Sequence, residues 1–173
     1  MELVDYCAGL RYCYAIVSSG PREAMGLAYV PVHELGHDVL PERAELEDAL
    51  ELATSTSLLA RALGIAIANA ISQFLLDLEG LSEGDVMACL DLREDDEVVL
   101  VGRIGPIYDA LRERGIRTTV LERDPKLRRE DGLPDTMLPR ALRRATVCLA
   151  TGSCLVNDTV DLVVQHARRC RIR

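Results

Sequence analysis

The sequence predicts an α/β chain, with an α+β N-terminal part followed by a parallel-sheet part. Three observations lead there. Short β-rich runs punctuated by Ser18-Ser19-Gly20-Pro21 open the chain and give way at Pro41 to helical patterning. After Glu97 the pattern runs strand, helix, strand, loop, strand, helix, the alternation that builds a parallel sheet with right-handed crossovers. The charge reverses at the same place: residues 1–97 carry 5 basic and 19 acidic side chains, residues 98–173 carry 15 and 9. Together these predict two subdomains, 1–84 and 85–173.

In the first subdomain, Val4 to Val17 and Ala24 to Val32 predict two or three antiparallel strands. Glu42 to Leu52 reads as an acidic amphipathic helix with Leu46, Ala49 and Leu50 on one face. Thr54-Ser55-Thr56-Ser57 interrupts it and supplies an N-cap for the next helix. That helix, Leu58 to Leu78, is apolar around most of its circumference and is therefore predicted to be buried. Gly64 inside it costs about 1 kcal/mol against Ala unless close packing requires it. Val86 to Leu92 is a weaker helix.

In the second subdomain, Val98-Val99-Leu100-Val101-Gly102 is a continuous apolar run ending in glycine, the pattern of a strand buried on both faces. Arg103-Ile104-Gly105-Pro106 leads into a helix from Ile107 to Arg114. Arg117 to Glu122 is the next strand. A Pro-rich loop with Asp131-Gly132 separates it from a third, Ala145 to Ala150, and a helix then runs from about Asn157 to Arg169. Arg171-Ile172-Arg173 reads as the start of another strand. Three parallel strands are few, so strands of the first half, or another chain in a homo-oligomer, are expected to complete the sheet.

Composition narrows the function. A net charge of −8, with one Phe, five Tyr and no Trp, argues against a nucleic-acid partner and against a base-stacking surface. The acidic start Met1-Glu2-Leu3-Val4-Asp5 is not a secretory leader. The apolar stretch Ala62 to Ile71 is too short to span a bilayer and contains Asn69. Six cysteines, Cys7, Cys13, Cys89, Cys148, Cys154 and Cys170, include no Cys-x-x-Cys pair. A cytoplasmic protein with reduced thiols and no membrane partner is the expectation.

Four motifs carry candidate chemistry. In Gly102-x-x-Gly105-Pro106, glycines at a strand's carboxyl end let a ligand approach the backbone, and the following helix offers N–H groups to an anion. Glu122 ends the next strand 20 residues after Gly102, the place of a ribose-binding carboxylate. The run Thr151-Gly152-Ser153-Cys154-Leu155-Val156-Asn157-Asp158-Thr159 follows the third strand and is dense in polar groups. Capping the last helix is the commonest job of residues such as Asn157, Asp158 or Thr159. Cys154 has no histidine near it in sequence, since His166 lies three turns on, so a nucleophilic role there is poorly supported. His33-Glu34-Leu35-Gly36-His37 matches the His-Glu-x-x-His zinc motif, with Glu34 in the place of a general base. Pro31 and Pro41 bracket it, leaving two helical turns at most. The position of a third histidine is Arg43, and an acidic ligand such as Glu45 or Glu51 stays open. A charged loop is the simpler reading. Asn69 shares a polar helix edge with Ser72 and Gln73.

The segments Gly26-Leu27-Ala28-Tyr29, Leu63 to Ala70, Val99 to Gly105, Val120 to Pro125 and Thr151 to Thr159, in this order and spacing, resemble the "putative heavy-metal chelation" domain family over nearly the whole chain. The resemblance implies an enolase-N-terminal-like subdomain followed by a Rossmann-like one. It implies a ligand or metal-chelate site in the cleft between them, and a C-terminus truncated relative to family members, which carry a further strand and Gly-Pro loop. It also places His33 to His37 in the sheet-to-helix connection, where metal contact by His33 and His37 stays open.

The expectation is therefore a protein binding a small molecule, a transition-metal ion or a metal chelate. Its site would use Gly102, Gly105, Glu122, Asp124, Thr151, Gly152 and Asn157, with Asn69 from the other subdomain. The alternatives are an enzyme using a nucleotide-type cofactor on the same loops, and a small zinc hydrolase built on His33, Glu34 and His37.

Overall fold

The computed structural model describes residues 1–76, 80, 84–168 and 170–172. The described chain forms two compact units, Met1–Glu79 with Leu155–Asn157, and Gly80–Cys154 with Asp158–Arg173.

The first unit is a three-stranded antiparallel sheet, β1 (Glu2–Ala8), β2 (Tyr12–Ser19) and β3 (Arg22–Tyr29), in that order. Gly20 turns between β2 and β3 with φ +61°. Helix α1 (Ala49–Ala53) is shorter than predicted, because the acidic segment begins with a 3₁₀ turn at Leu46–Asp48. Helix α2 (Leu58–Leu75) starts where the Ser/Thr run predicts: Ser57 Oγ accepts from the Ala60 amide at 3.3 Å. The predicted extension of α2 over 77–78 lies outside the described residues.

Alternation along β2 and β3 turns Cys13, Ala15 and Ala28 inward, where Ala62, Leu63, Ala66 and Ile67 of α2 complete the core. Two glycines allow this packing. A Cβ on Gly26 would lie 2.0 Å from the Ala66 carbonyl oxygen, and one on Gly64 would lie 2.2 Å from the Ala53 nitrogen. The small residues therefore let α2 press against β3 and α1, so the expected cost of Gly64 is offset by close packing. By length and composition α2 also fits a membrane span, yet eight of its residues are buried inside the unit.

The second unit is a five-stranded, wholly parallel sheet. After α3 (Val86–Cys89), the elements are β4 (Glu97–Val101), α4 (Gly105–Glu113), β5 (Arg117–Leu121), β6 (Gly132–Leu133), α5 (Leu138–Leu142), β7 (Val147–Ala150), α6 (Ser153–Val156), α7 (Val160–His166) and β8 (Arg171–Ile172). The strand order is β6-β5-β4-β7-β8. The three predicted strands are all present. β6 and β8, both from within the unit, bring the sheet to five strands. β6 is two residues inside the expected Pro-rich loop, where α5 also forms.

Both faces of the sheet are covered, which explains the unbroken apolar runs. Val98, Leu100, Val120, Val147 and Leu149 pack with Tyr108 and Leu111 of α4. Val99, Val101, Leu121 and Cys148 pack on the other face with Leu138, Leu142 and Val163. The helix predicted from Asn157 begins later, as α7, and the short α6 forms before it in the run expected to be a loop. Asp158 adopts a left-handed φ of 58° and separates α6 from α7, whose N-cap is Thr159.

Candidate functional site

Strand order brings two of the expected loops together. From β4 the chain winds outward through β5 to β6, then crosses back to β7 on the other side of β4 and on to β8. Between β4 and β7 the winding reverses, and ligands of open α/β sheets sit outside the carboxyl ends of strands at such a switch point. The residues there are Gly102 and Thr151. The pairing of Val101 with Ala150 brings their turns side by side, and the Thr151 amide donates to the Val101 carbonyl at 3.0 Å.

Gly102 has φ +86°, and an added Cβ would lie 2.7 Å from Thr151 Oγ1 and 2.8 Å from its Cγ2. Glycine is therefore needed here on two counts, backbone conformation and the approach of Thr151. Thr151 Oγ1 shares a 2.5 Å hydrogen bond with Ser153 Oγ. Gly105 and Gly152 differ: a Cβ on either meets no atom within 4 Å. Nothing in the protein demands a glycine at these two positions, and the space beside each is open.

Glu122 lies beyond the end of β5, next to the Gly102 turn. One carboxylate oxygen accepts from the Arg103 amide at 3.2 Å and the other from the Asp124 amide at 3.1 Å. It thus ties the loops after β4 and β5 together. Asp124 Oδ1 accepts from the Lys126 amide at 2.8 Å and shapes the turn that follows. No side chain caps the first turn of α4, where Gly105 and Pro106 stand.

Sequence reasoning missed a cluster in the same loops. Arg103 reaches Asp131 at 3.2 Å and lies 4.2 Å over the Tyr108 ring, and the Tyr108 hydroxyl donates to the second oxygen of Asp131. The Tyr108 hydroxyl, and then Arg103, hold the Asp131 carboxyl below its ordinary value. Arg103 is only 12% exposed. The adjacency of Arg103 to Gly102 and of Asp131 to Gly132 was visible; that they meet across 28 residues was not. Beside these loops, Val101, Asp135, Thr136, Leu138, Pro139, Thr159 and Leu162 line a mostly apolar cavity of about 330 Å³.

Other expected residues fall elsewhere. Asn69 belongs to the first unit, where its amide donates to the Leu27 carbonyl at 2.8 Å, as Gln73 does to that of Met25. The polar edge of α2 thus pins the helix to β3. Asn157 also groups with the first unit and precedes the Asp158 turn; it does not open a helix. His33 and His37 are exposed in a segment of turns and bends, not on a helix, so the i, i+4 geometry of a zinc-protease helix is absent from this stretch. Among the described residues no group of three or more His, Cys, Asp or Glu side chains could hold a metal ion.

Comparison with known proteins agrees with this architecture. Two family models, each described as "putative heavy-metal chelation", match residues 1–72 and 85–173. An uncharacterised protein of Methanocaldococcus jannaschii is 28% identical over 99% of this chain and 68% of its own length. A crystal structure of a DUF364-family protein of unknown function from Pyrococcus horikoshii superposes with a TM-score of 0.91 at 29% identity, over 99% of this chain and 70% of that one. A second, from Desulfitobacterium hafniense, shares the fold with a TM-score of 0.73 at 17% identity, over 97% and 68%. With a model covering more than half of its length, the chain belongs to the DUF364 family of "putative heavy-metal chelation" proteins.

Proposed function

We propose that this chain binds a small organic ligand, one able to carry its own metal ion, at the carboxyl-end edge of the parallel sheet. The observation that carries the reading is the meeting of Gly102 and Thr151 at the switch point between β4 and β7. Around it stand the uncapped first turn of α4, the Thr151 and Ser153 hydroxyls, Glu122 and the mostly apolar cavity. This mixture of a few polar groups and an apolar wall suits an organic molecule. The family description points to metal chelation, while the described donors do not form a three-ligand metal site. A chelate supplies the missing ligands itself, so the protein needs only to hold the organic part.

The test uses Gly105, where open space adjoins the backbone and φ is not left-handed. A Gly105→Trp variant starts a large side chain in that space, since no atom stands within 4 Å of the added Cβ. Thermal unfolding is followed with iron(III) citrate, with zinc or copper salts alone, and with NAD and ADP. The chelate is expected to raise the wild-type midpoint by several degrees, since ligand binding stabilises the native state, and to leave Gly105→Trp unmoved. Stabilisation by the metal salts alone, equal in both proteins, refutes the reading. A shift confined to the nucleotides favours a nucleotide-dependent enzyme, a reading supported by Glu122 standing beside the Gly102 turn.

A further inference from the structure

The opposite edge of the parallel sheet holds a larger cavity, of about 680 Å³. It opens where β4 and β5 begin. Glu97, Val98 and Val99 of β4 and Arg117, Thr118 and Thr119 of β5 form one side. Arg112 from the last turn of α4 joins them, and Met137, Arg140, Ala141, Arg144 and Ala145 close the other side. Four arginines and one carboxylate are thus among the lining residues. That carboxylate, Glu97, pairs with Arg117 at 3.2 Å. Among the described residues no acidic side chain lies within ion-pair distance of Arg112, Arg140 or Arg144.

Backbone electrostatics make this accumulation notable. Helices of a parallel α/β sheet direct their C-terminal ends, and so their partial negative charge, toward the amino ends of the strands. One arginine at the end of α4 answers that dipole. Arg140 lies in the last turn of α5, which is only five residues long, Arg144 follows that helix, and Arg117 starts a strand. Each helix end carries only about half a charge, so the ends of α4 and α5 together with Glu97 leave the four arginines around the cavity in excess. Like charges so gathered repel one another unless an anion enters.

We propose that this cavity is a second ligand site, built for a small organic polyphosphate. A guanidinium fork matches two phosphate oxygens at once, and several forks favour a molecule with two or more phosphate groups over a single one. The floor is apolar: Val98, Val99 and Ala145 are buried, and Met137 and Ala141 adjoin them, so a non-polar or sugar body has a surface to rest on. Among the described residues that line the cavity none is aromatic, so the recognition proposed rests on the phosphates and not on stacking of a nucleobase. The volume lies within the several hundred cubic ångströms usual for small-molecule sites. Five residues of β4, about 16 Å at ~3.3 Å per residue, separate it from the Gly102 edge, so it is independent of the site proposed there.

Inorganic tripolyphosphate and orthophosphate serve as probes, by calorimetric titration at low and at moderate sodium chloride. Tripolyphosphate is expected to bind the wild type at least tenfold more tightly than orthophosphate, and more weakly as salt rises. The Arg140→Gln/Arg144→Gln variant should lose at least tenfold in affinity. Both side chains are exposed, so the fold is expected to survive, which circular dichroism checks. Arg140→Lys/Arg144→Lys keeps the charge without the fork and should fall between. Gly105→Trp should bind as the wild type does. Wild type that fails to bind tripolyphosphate, an affinity indifferent to the arginine variants, or binding abolished by Gly105→Trp overturns the proposal.

Discussion

The contact between Gly102 and Thr151 can be tested by a double-mutant cycle. Gly102→Ala has two separable costs. The first is conformational: a φ of +86° is left-handed, and an L-residue held there is strained by roughly 1–2 kcal/mol. The second is steric, because the new methyl would stand 2.7 Å from Thr151 Oγ1 and 2.8 Å from Cγ2. Overpacking of this kind costs roughly 1–3 kcal/mol. The single variant should therefore lose about 2–5 kcal/mol. Thr151→Ala removes both close atoms, leaving the Thr151 Cβ position at 3.3 Å as the nearest. In that background Gly102→Ala keeps its conformational cost and sheds most of the steric one. Urea unfolding followed by circular dichroism should show the double variant about 1–3 kcal/mol more stable than the two single effects predict. Additivity to within about 0.5 kcal/mol would mean that the turns after β4 and β7 do not meet, and the candidate site would go with them.

Other consequences can be measured directly. Gly26→Ala sets a methyl against the backbone of α2, 2.0 Å from the Ala66 oxygen and 2.4 Å from the Ala70 nitrogen. Backbone cannot rotate aside, so thermal unfolding should show a loss of about 3 kcal/mol or more, beyond that of an exposed glycine such as Gly36. Burial raises the Cys13 thiol to about 11 and the Cys148 thiol to about 12, from 9.0 in each case. Since the folded values are raised, their contribution is present in full below pH 9 and is lost as pH climbs toward 11 and 12. Stability measured across that window should fall, and Cys13→Ala/Cys148→Ala should flatten the decline. In the native protein a thiol reagent near pH 8 should modify the exposed Cys7 and Cys89 and leave Cys13 and Cys148 untouched until unfolding.

Elements with a long one-dimensional signature were legible. Val98 to Val101 and Val147 to Leu149 read as strands because a strand covered on both faces is apolar throughout, and Arg117 to Leu121 through its β-branched Thr118, Thr119 and Val120. Helix α2 and its Ser57 cap were legible for similar reasons, through apolar breadth and a side-chain oxygen at the first turn. Short elements were not. Nothing in Gly132-Leu133 distinguishes a strand from a turn, and the pairing with Val120 and Leu121 is what makes it one. The short α5 and the break at Asp158 likewise exist through their surroundings rather than through propensity.

The same division runs through the site. Gly102, Glu122 and Thr151 could be singled out because each follows a readable strand, and a strand's carboxyl end has a known meaning in an α/β sheet. Which turns become neighbours depends on strand order, a property of pairing between residues dozens of positions apart. Only the folded sheet seats Thr151 against Gly102, draws Arg103 to Asp131 and Tyr108, and gathers Arg112, Arg117, Arg140 and Arg144 around one cavity. Composition and periodicity act along the chain and determined which segments are strands and where their loops begin. Cross-strand hydrogen bonding and side-chain packing act across it, and they decided which of those loops share an edge.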